Sequence, residues 1–237
     1  NHFGRVLGTG EVMADVSGTS VVATYIGLMD PLRELFAVTE AAHEKGYSKN
    51  FFSFLNKEGQ CKNCNGSGFV TTSMDFLPDI HTVCESCQGR RYSDEILQIS
   101  FLGKNIAEIL NMTATDASLF FQDYRKISDI LDLMVETGLD YLKLGQSTSD
   151  LSGGEIQRLH LVSELKQPVK SPSLYLLDEP STGLHPVDVH RLLTLFNRLA
   201  DLGHTFIIIE HNPEIIAFAD HLITLGPEGG EQGGWVL

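Results

Sequence analysis

Leu174-Tyr175-Leu176-Leu177-Asp178-Glu179-Pro180 is the stretch on which the fold turns. Its short, nearly continuous apolar run is that of a buried parallel strand, with side chains covered on both faces. The run ends in two adjacent carboxylates, Asp178 and Glu179. In phosphoryl chemistry Asp178 would hold Mg²⁺ through oxygen ligands or water, and Glu179 would orient or deprotonate the water that attacks a γ-phosphate. Taken alone, an Asp-Glu pair after an apolar run is common and can be no more than a strand end.

The neighbouring sequence narrows the choice. A helical pattern over residues 187–202 is followed by a second apolar run over 205–209, which ends in Glu210-His211. Strand, helix and strand in this order form one unit of an α/β layer. They can also place an imidazole near the same γ-phosphate. Upstream, Leu151-Ser152-Gly153-Gly154-Glu155-Ile156-Gln157-Arg158 puts a serine and two glycines at a helix start. Free N–H groups and the positive end of the helix dipole can receive a phosphate there. Ser-Gly-Gly alone could be an ordinary helix-start turn, but three such elements in this order and spacing are hard to obtain by chance.

The four cysteines fall in one short window, as Cys61-Lys62-Asn63-Cys64 and Cys84-Glu85-Ser86-Cys87 with nineteen residues between the pairs. Two C-x-x-C turns each present two thiolates, and together they complete a closed tetrahedral shell of the structural zinc type. Four reduced buried cysteines, or a redox pair, fit this paired spacing less well. A closed shell leaves no position for water, so the zinc is expected to be structural. Gly66 and Gly89, each two residues past a knuckle, suit turns with positive φ. Lys62, Arg90, Arg91 and Lys104 could contact phosphates, and Tyr92 or Phe69 could contact bases. Glu85, Asp94 and Glu95 lie among them, so a solvated mixed surface is an equal reading.

Elsewhere the pattern predicts a strand over 5–7, a helix over 31–45 with Pro31 in its first turn, and strands over 69–76 and 96–101. Ile106, Ile109 and Leu110, and then Ile127, Ile130, Leu131 and Met134, recur at helical spacing, with a capping signal at Thr113 and Asp116. Residues 226–234, rich in glycine, read as an exposed loop. The chain divides on this reading into 1–56, 57–103, 104–148 and 149–237.

The 237 residues carry a formal net charge of −14, which argues against a surface uniformly attractive to nucleic acid. The acid is uneven: residues 105–237 hold nineteen Asp and Glu against eight Lys and Arg, whereas residues 57–104 hold six against five. A basic face near the cysteines therefore stays open. No apolar run approaches the roughly 20 residues of a membrane span, and residues 1–10 lack the features of a secretory signal, so the expected address is the cytoplasm. The glycine-punctuated opening at Asn1 reads as the interior of a longer protein.

These motifs resemble the ATP-binding-cassette ATPases. Residues 151–157 match their signature, 174–179 their Walker B strand, 181–185 their D-loop, and His211 their switch histidine. In that family two cassettes pair head to tail. The resemblance thus implies that Ser152, Gly153, Gly154, Glu155 and Gln157 serve ATP held by the opposing cassette, while Asp178, Glu179 and His211 serve the ATP of their own. More narrowly, nearly the whole chain is similar to the C-terminal half of the UvrA family, through residues 23–27, 33–36, 76–79, 103–105, 143–146 and 225–230 together with both cysteine knuckles. The implied fold is α/β, an ATP-binding-cassette nucleotide-binding core interrupted by a zinc module and a helical signature subdomain. The implied function is damage recognition in nucleotide excision repair, with ATP, Mg²⁺ and Zn²⁺ as cofactors. The implied partners are double-stranded damaged DNA, a UvrB-type helicase and a second copy of the intact parent, with no membrane.

Two departures bear on this. No G-x-x-x-x-G-K-[ST] loop occurs in the 237 residues; the incomplete core is expected to take its phosphate loop from upstream of Asn1, and this piece alone to hydrolyse ATP poorly or not at all. Glu11 stands where the family has a Q-loop glutamine, and residues 16–19 differ from its Arg-Thr-Pro pattern. A paralogue with another task, such as drug tolerance, and a non-hydrolysing zinc and DNA-interaction module are the competing readings.

Overall fold

A computed structural model describes residues 4–8, 20–74, 77–166, 171–227 and 233–236. Glu11, residues 16–19, Phe76 and residues 228–232 lie outside them. In chain order the elements are β1 (Arg5–Gly8), α1 (Val22–Tyr25), α2 (Met29–Ala37), α3 (Glu40–Glu44), β2 (Phe69–Met74), β3 (Leu77–Val83) and α4 (Asp94–Leu97). Then come β4 (Ser100–Phe101), β5 (Lys104–Asn105), α5 (Ile106–Leu110), α6 (Ala114–Phe120), α7 (Arg125–Glu136) and α8 (Gly153–Leu165). The chain continues through β6 (Ser173–Asp178), α9 (Pro186–Asp201), β7 (Thr205–Ile209), α10 (Pro213–Phe218), β8 (Leu225–Gly226) and β9 (Trp235–Val236). Two compact units result, one of residues 1–9 and 171–237, the other of residues 10–170.

The first unit is the α/β layer. Its sheet runs β1-β6-β7, with both pairings parallel. Helix α9 lies against the face that carries Tyr175 and Phe206: Phe196 packs 4.9 Å from the Phe206 ring, which stacks on Tyr175 at 5.0 Å. His185 caps α9, Pro186 fills its first turn, and Val189, Leu192, Leu193, Phe196 and Leu199 are buried at helical spacing. Strand β7 differs from the fully buried strand expected of its apolar run. It stands at an edge of the described sheet, and Ile207 and Ile209 are exposed. Alternation along the strand turns them from the face that α9 covers.

The second unit is mainly helical. One core joins Ile26, Leu32 and Phe36 to Ile106, Ile109, Leu131, Met134, Leu159 and Val162. The predicted helix over 31–45 is instead two, because Thr39 leaves the helix with ψ 147° and its hydroxyl accepts the Ala42 amide as a new N-cap. Over 96–101 the predicted strand is a short helix, α4, followed by β4. Ser93 precedes two acidic residues in the first turn, and Ile96 and Ile99 are both buried at a spacing of three. The capping signal at Thr113 is present, its hydroxyl accepting the Asp116 amide at 3.1 Å. Among the described residues no helix is long and apolar enough to cross a membrane.

Candidate nucleotide and metal sites

In the α/β unit, parallel pairing carries β6 and β7 to the same end of the sheet, with Asp178 opposite Ile209. Asp178 is exposed at that end. One residue further, the Glu179 amide donates to the Ile209 carbonyl at 2.9 Å, and this extra rung holds Glu179 at φ +47°. A non-glycine residue in the left-handed region is a strained arrangement that surrounding bonds must impose. Oε1 of Glu179 lies 3.5 Å from Nδ1 of His211, and Oε2 accepts the Thr182 hydroxyl at 3.2 Å. The structure thus brings Glu179 and His211 together, with Asp178 adjacent. Such a group can present a hard oxygen to a cation, and a base and an imidazole to a phosphate.

Ser152, Gly153, Gly154, Glu155 and Gln157 belong to the helical unit, at the start of α8. Ser152 is the N-cap, and its side chain and that of Glu155 close a capping box. Gly153 has open space where a Cβ would stand, so its backbone is approachable. The inner side of α8 is pinned by Leu159 and Val162, and the Lys166 ammonium near its end donates to the Ile26 carbonyl at 2.9 Å.

The four cysteines also converge in the helical unit. All four sulfurs lie within 4.8 Å of one another, and Cys64 and Cys87 are 3.7 Å apart. A tetrahedral shell with metal–sulfur bonds of about 2.3 Å has sulfur–sulfur edges of about 3.8 Å, so the donor set fits a four-thiolate ion. Asn63 Nδ2 donates to Cys84 Sγ at 3.2 Å and the Gly68 amide to Cys64 Sγ at 3.3 Å, as suits thiolates. The Cys87 amide and the Asn63 side chain draw the Cys84 thiol down to about 6, whereas burial pushes Cys87 up to about 12. A cation among the sulfurs would reverse the second shift. Gly66 and Gly89 sit at φ +81° and +79°, as the knuckle turns require. A Cβ on Gly66 would strike the Phe54 carbonyl.

The residues read as DNA contacts divide. Lys62 is exposed, Lys104 is half-buried in the β4–β5 hairpin, and Phe69 is exposed on β2. Arg90 is exposed but engaged, donating through Nε to the Cys87 carbonyl at 3.0 Å and lying 3.7 Å from Asp94. Arg91 and Tyr92 are interior and do not offer the surface expected of them. Arg91 is 8% exposed with its guanidinium over the Phe54 ring, and the Tyr92 hydroxyl donates to the Phe52 carbonyl at 3.2 Å. The reason is local: the Arg91 carbonyl accepts the Cys61 amide and Tyr92 bridges to Gln60, so both hold the base of the cysteine module onto the helical core.

Residues 100–217 match the family model described as "AAA domain, putative AbiEii toxin, Type IV TA system". The chain is 48% identical over 215 residues to the UvrABC system protein A of Staphylococcus epidermidis, covering 91% of the chain and 23% of that protein. It is 46% identical over 236 residues to the protein of that name from Streptococcus pyogenes serotype M1, covering all of the chain and 25% of that protein. The solved structure of UvrA2 from Deinococcus radiodurans superposes with a TM-score of 0.89 at 41% identity, over 98% of the chain and 29% of that structure. The chain belongs to the UvrA family. It spans about a quarter of the length of these UvrA relatives.

One residue of this UvrA site was not singled out from the sequence. Glu210 Oε1 accepts the Ser181 amide at 3.0 Å and its hydroxyl at 2.5 Å, while Oε2 accepts the amides of His211 at 3.0 Å and Asn212 at 3.2 Å. The carboxylate therefore ties the loop after β6 to the turn that carries His211. The available signal was a carboxylate at a strand end beside a histidine. Burial alone would raise its pKa, but the Ser181 hydroxyl and the three amides hold it below the usual glutamate value.

Because folding depresses this pKa, the clamp is fully present above the ordinary glutamate range near about 4.3 and is lost as pH falls through the lowered value. In Glu210→Gln, one pair of donors must face an NH₂ group. Hydrogen exchange at Ser181, His211 and Asn212 is expected to accelerate at neutral pH, and the difference from wild type to close on acidification. Equal protection at neutral pH would contradict the clamp.

Proposed function

We propose that this chain supplies half of the catalytic machinery of a UvrA-type ATPase acting in nucleotide excision repair. The observation that carries the reading is the Glu179–His211 pair, 3.5 Å apart at the ends of two parallel strands. Asp178 would hold Mg²⁺, which when bound offsets the charge of the phosphates. Glu179 orients the attacking water and takes its proton, and His211 steadies Glu179 and faces the terminal phosphate. Ser152, Gly153, Gly154, Glu155 and Gln157 serve ATP held by the opposing cassette, which requires a dimer of the intact parent. A phosphate loop from the parent completes the site, and without it the piece turns over little ATP.

Cys61, Cys64, Cys84 and Cys87 hold a structural Zn²⁺ that folds the module around residues 57–103, between the remnant core of 1–56 and the signature subdomain of 104–148. Residues 149–237 then carry the cassette motifs, the signature in the helical unit and the Walker B strand, D-loop and switch histidine in the α/β unit. Lys62 and Lys104, and Arg90 if it leaves Asp94, are the cationic groups available to phosphates of damaged double-stranded DNA. A UvrB-type helicase is the partner loaded afterwards, in the cytoplasm.

In the full-length parent, Glu179→Gln is expected to bind ATP but to lower turnover by about 10²-fold or more, as loss of a positioned base does. Radiolabelled ATP retention beside a steady-state assay reads both, and undiminished turnover would remove Glu179 from the mechanism. For the metal, mass spectrometry should find one zinc per chain in the wild type. In Cys64→Ser the zinc should be lost and residues 57–100 should become protease-sensitive. Retention of zinc would refute the ligand set.

A further inference from the structure

Both donors of Ser152 are already engaged in this structure. Its amide and its hydroxyl donate to Glu155 Oε2, at 2.7 and 2.8 Å, and the Glu155 amide returns a bond to Ser152 Oγ at 3.4 Å. The carboxylate therefore sits at the positive end of α8, beside the glycine amides that a phosphate would use. Unless the rest of Glu155 is fixed, this negative group can swing across the glycine amides and repel the incoming anion.

What fixes it lies outside the motif. The Tyr141 hydroxyl donates to Glu155 Oε1, so one carboxylate oxygen belongs to Ser152 and the other to the phenol. Arg158, one turn further along α8 and 1% exposed, hydrogen-bonds the phenol and attracts the carboxylate. Tyr141 itself is 53% exposed and lies outside the hydrophobic core. Packing therefore gives little reason for a tyrosine here, whereas the hydroxyl has a definite partner.

We propose that Tyr141 is a positioning residue of the signature site: its hydroxyl holds Glu155 Oε1 to the side of the α8 N-terminus, leaving Gly153, Gly154 and a released Ser152 hydroxyl to receive the terminal phosphate of ATP. This rests on the reading of Ser152 as nucleotide-facing. On arrival of the phosphate, Ser152 exchanges Glu155 Oε2 for a phosphate oxygen, and the tether keeps the carboxylate from following.

The test uses the full-length ATPase and Tyr141→Phe, which keeps the ring. Amides 152–155 should exchange about 3- to 10-fold faster, the size of one lost hydrogen bond, and the KM for ATP should rise by a similar factor with kcat changing less. In a Glu155→Gln background, Tyr141→Phe should add nothing further, because the tether acts only through that carboxylate. Unchanged exchange, additive effects in the double variant, or a fall in kcat at constant KM would each overturn the proposal. Faster exchange beside an unchanged KM would overturn the role in ATP binding while leaving the tether. A wild-type protein that neither binds nor hydrolyses ATP would overturn the nucleotide reading itself, and the proposal with it.

Discussion

The parallel pairing of β6 with β7 is the constraint from which the site follows. Leu174 through Asp178 align with Thr205 through Ile209 in one register, so both strands end at the same edge of the sheet. Residues immediately after two such ends leave the sheet side by side, as they must in any open parallel α/β layer. Asp178-Glu179 and Glu210-His211 occupy those places. A slip of one residue would turn every side chain of a strand to the other face and separate the carboxylate from the imidazole. The rung from the Glu179 amide to the Ile209 carbonyl fixes the register past the last regular pair, at the expense of a left-handed backbone at Glu179.

The helical unit applies a different principle to its own functional groups. The start of α8 and the cysteine module are both surface features anchored by buried residues immediately behind them. Leu159 and Val162 fix the helix that bears Ser152, while Phe54 and Tyr92, in edge-to-face contact at 5.8 Å, fix the base of the knuckles. Polar groups then refine the positions: Glu155 on Ser152, and Asn63 and the Gly68 amide on two sulfurs. Anchoring of this kind lets a loop-borne group keep its geometry without a strand beneath it.

How much of this could be read in advance depended on range. Strands β6 and β7 and helix α9 were legible because apolar runs and helical periodicity are local signals, and the N-cap at Ser152 is written in four consecutive residues. The clustering of the cysteines was legible because two close pairs limit where the sulfurs can go. Position relative to the core was not. Arg91 and Tyr92 look like surface contacts in sequence, and long-range bonds, from Cys61 to the Arg91 carbonyl and between Tyr92 and Gln60, turn that segment inward. The break at Thr39 was hidden because helix pattern continues on both sides of it, and the exposure of Ile207 and Ile209 depends on which face α9 covers. Two of the four bonds that Glu210 accepts cross from one strand end to the other, to Ser181, which no local pattern announces.

The central claim is that Glu179 and His211 act as one unit on the terminal phosphate. A double-mutant cycle on the full-length ATPase, comparing single-turnover hydrolysis in Glu179→Gln, His211→Ala and the double variant, measures that coupling directly. The structure predicts that the double variant is scarcely slower than the worse single variant. Losses that multiply, as for two independent residues, would contradict it.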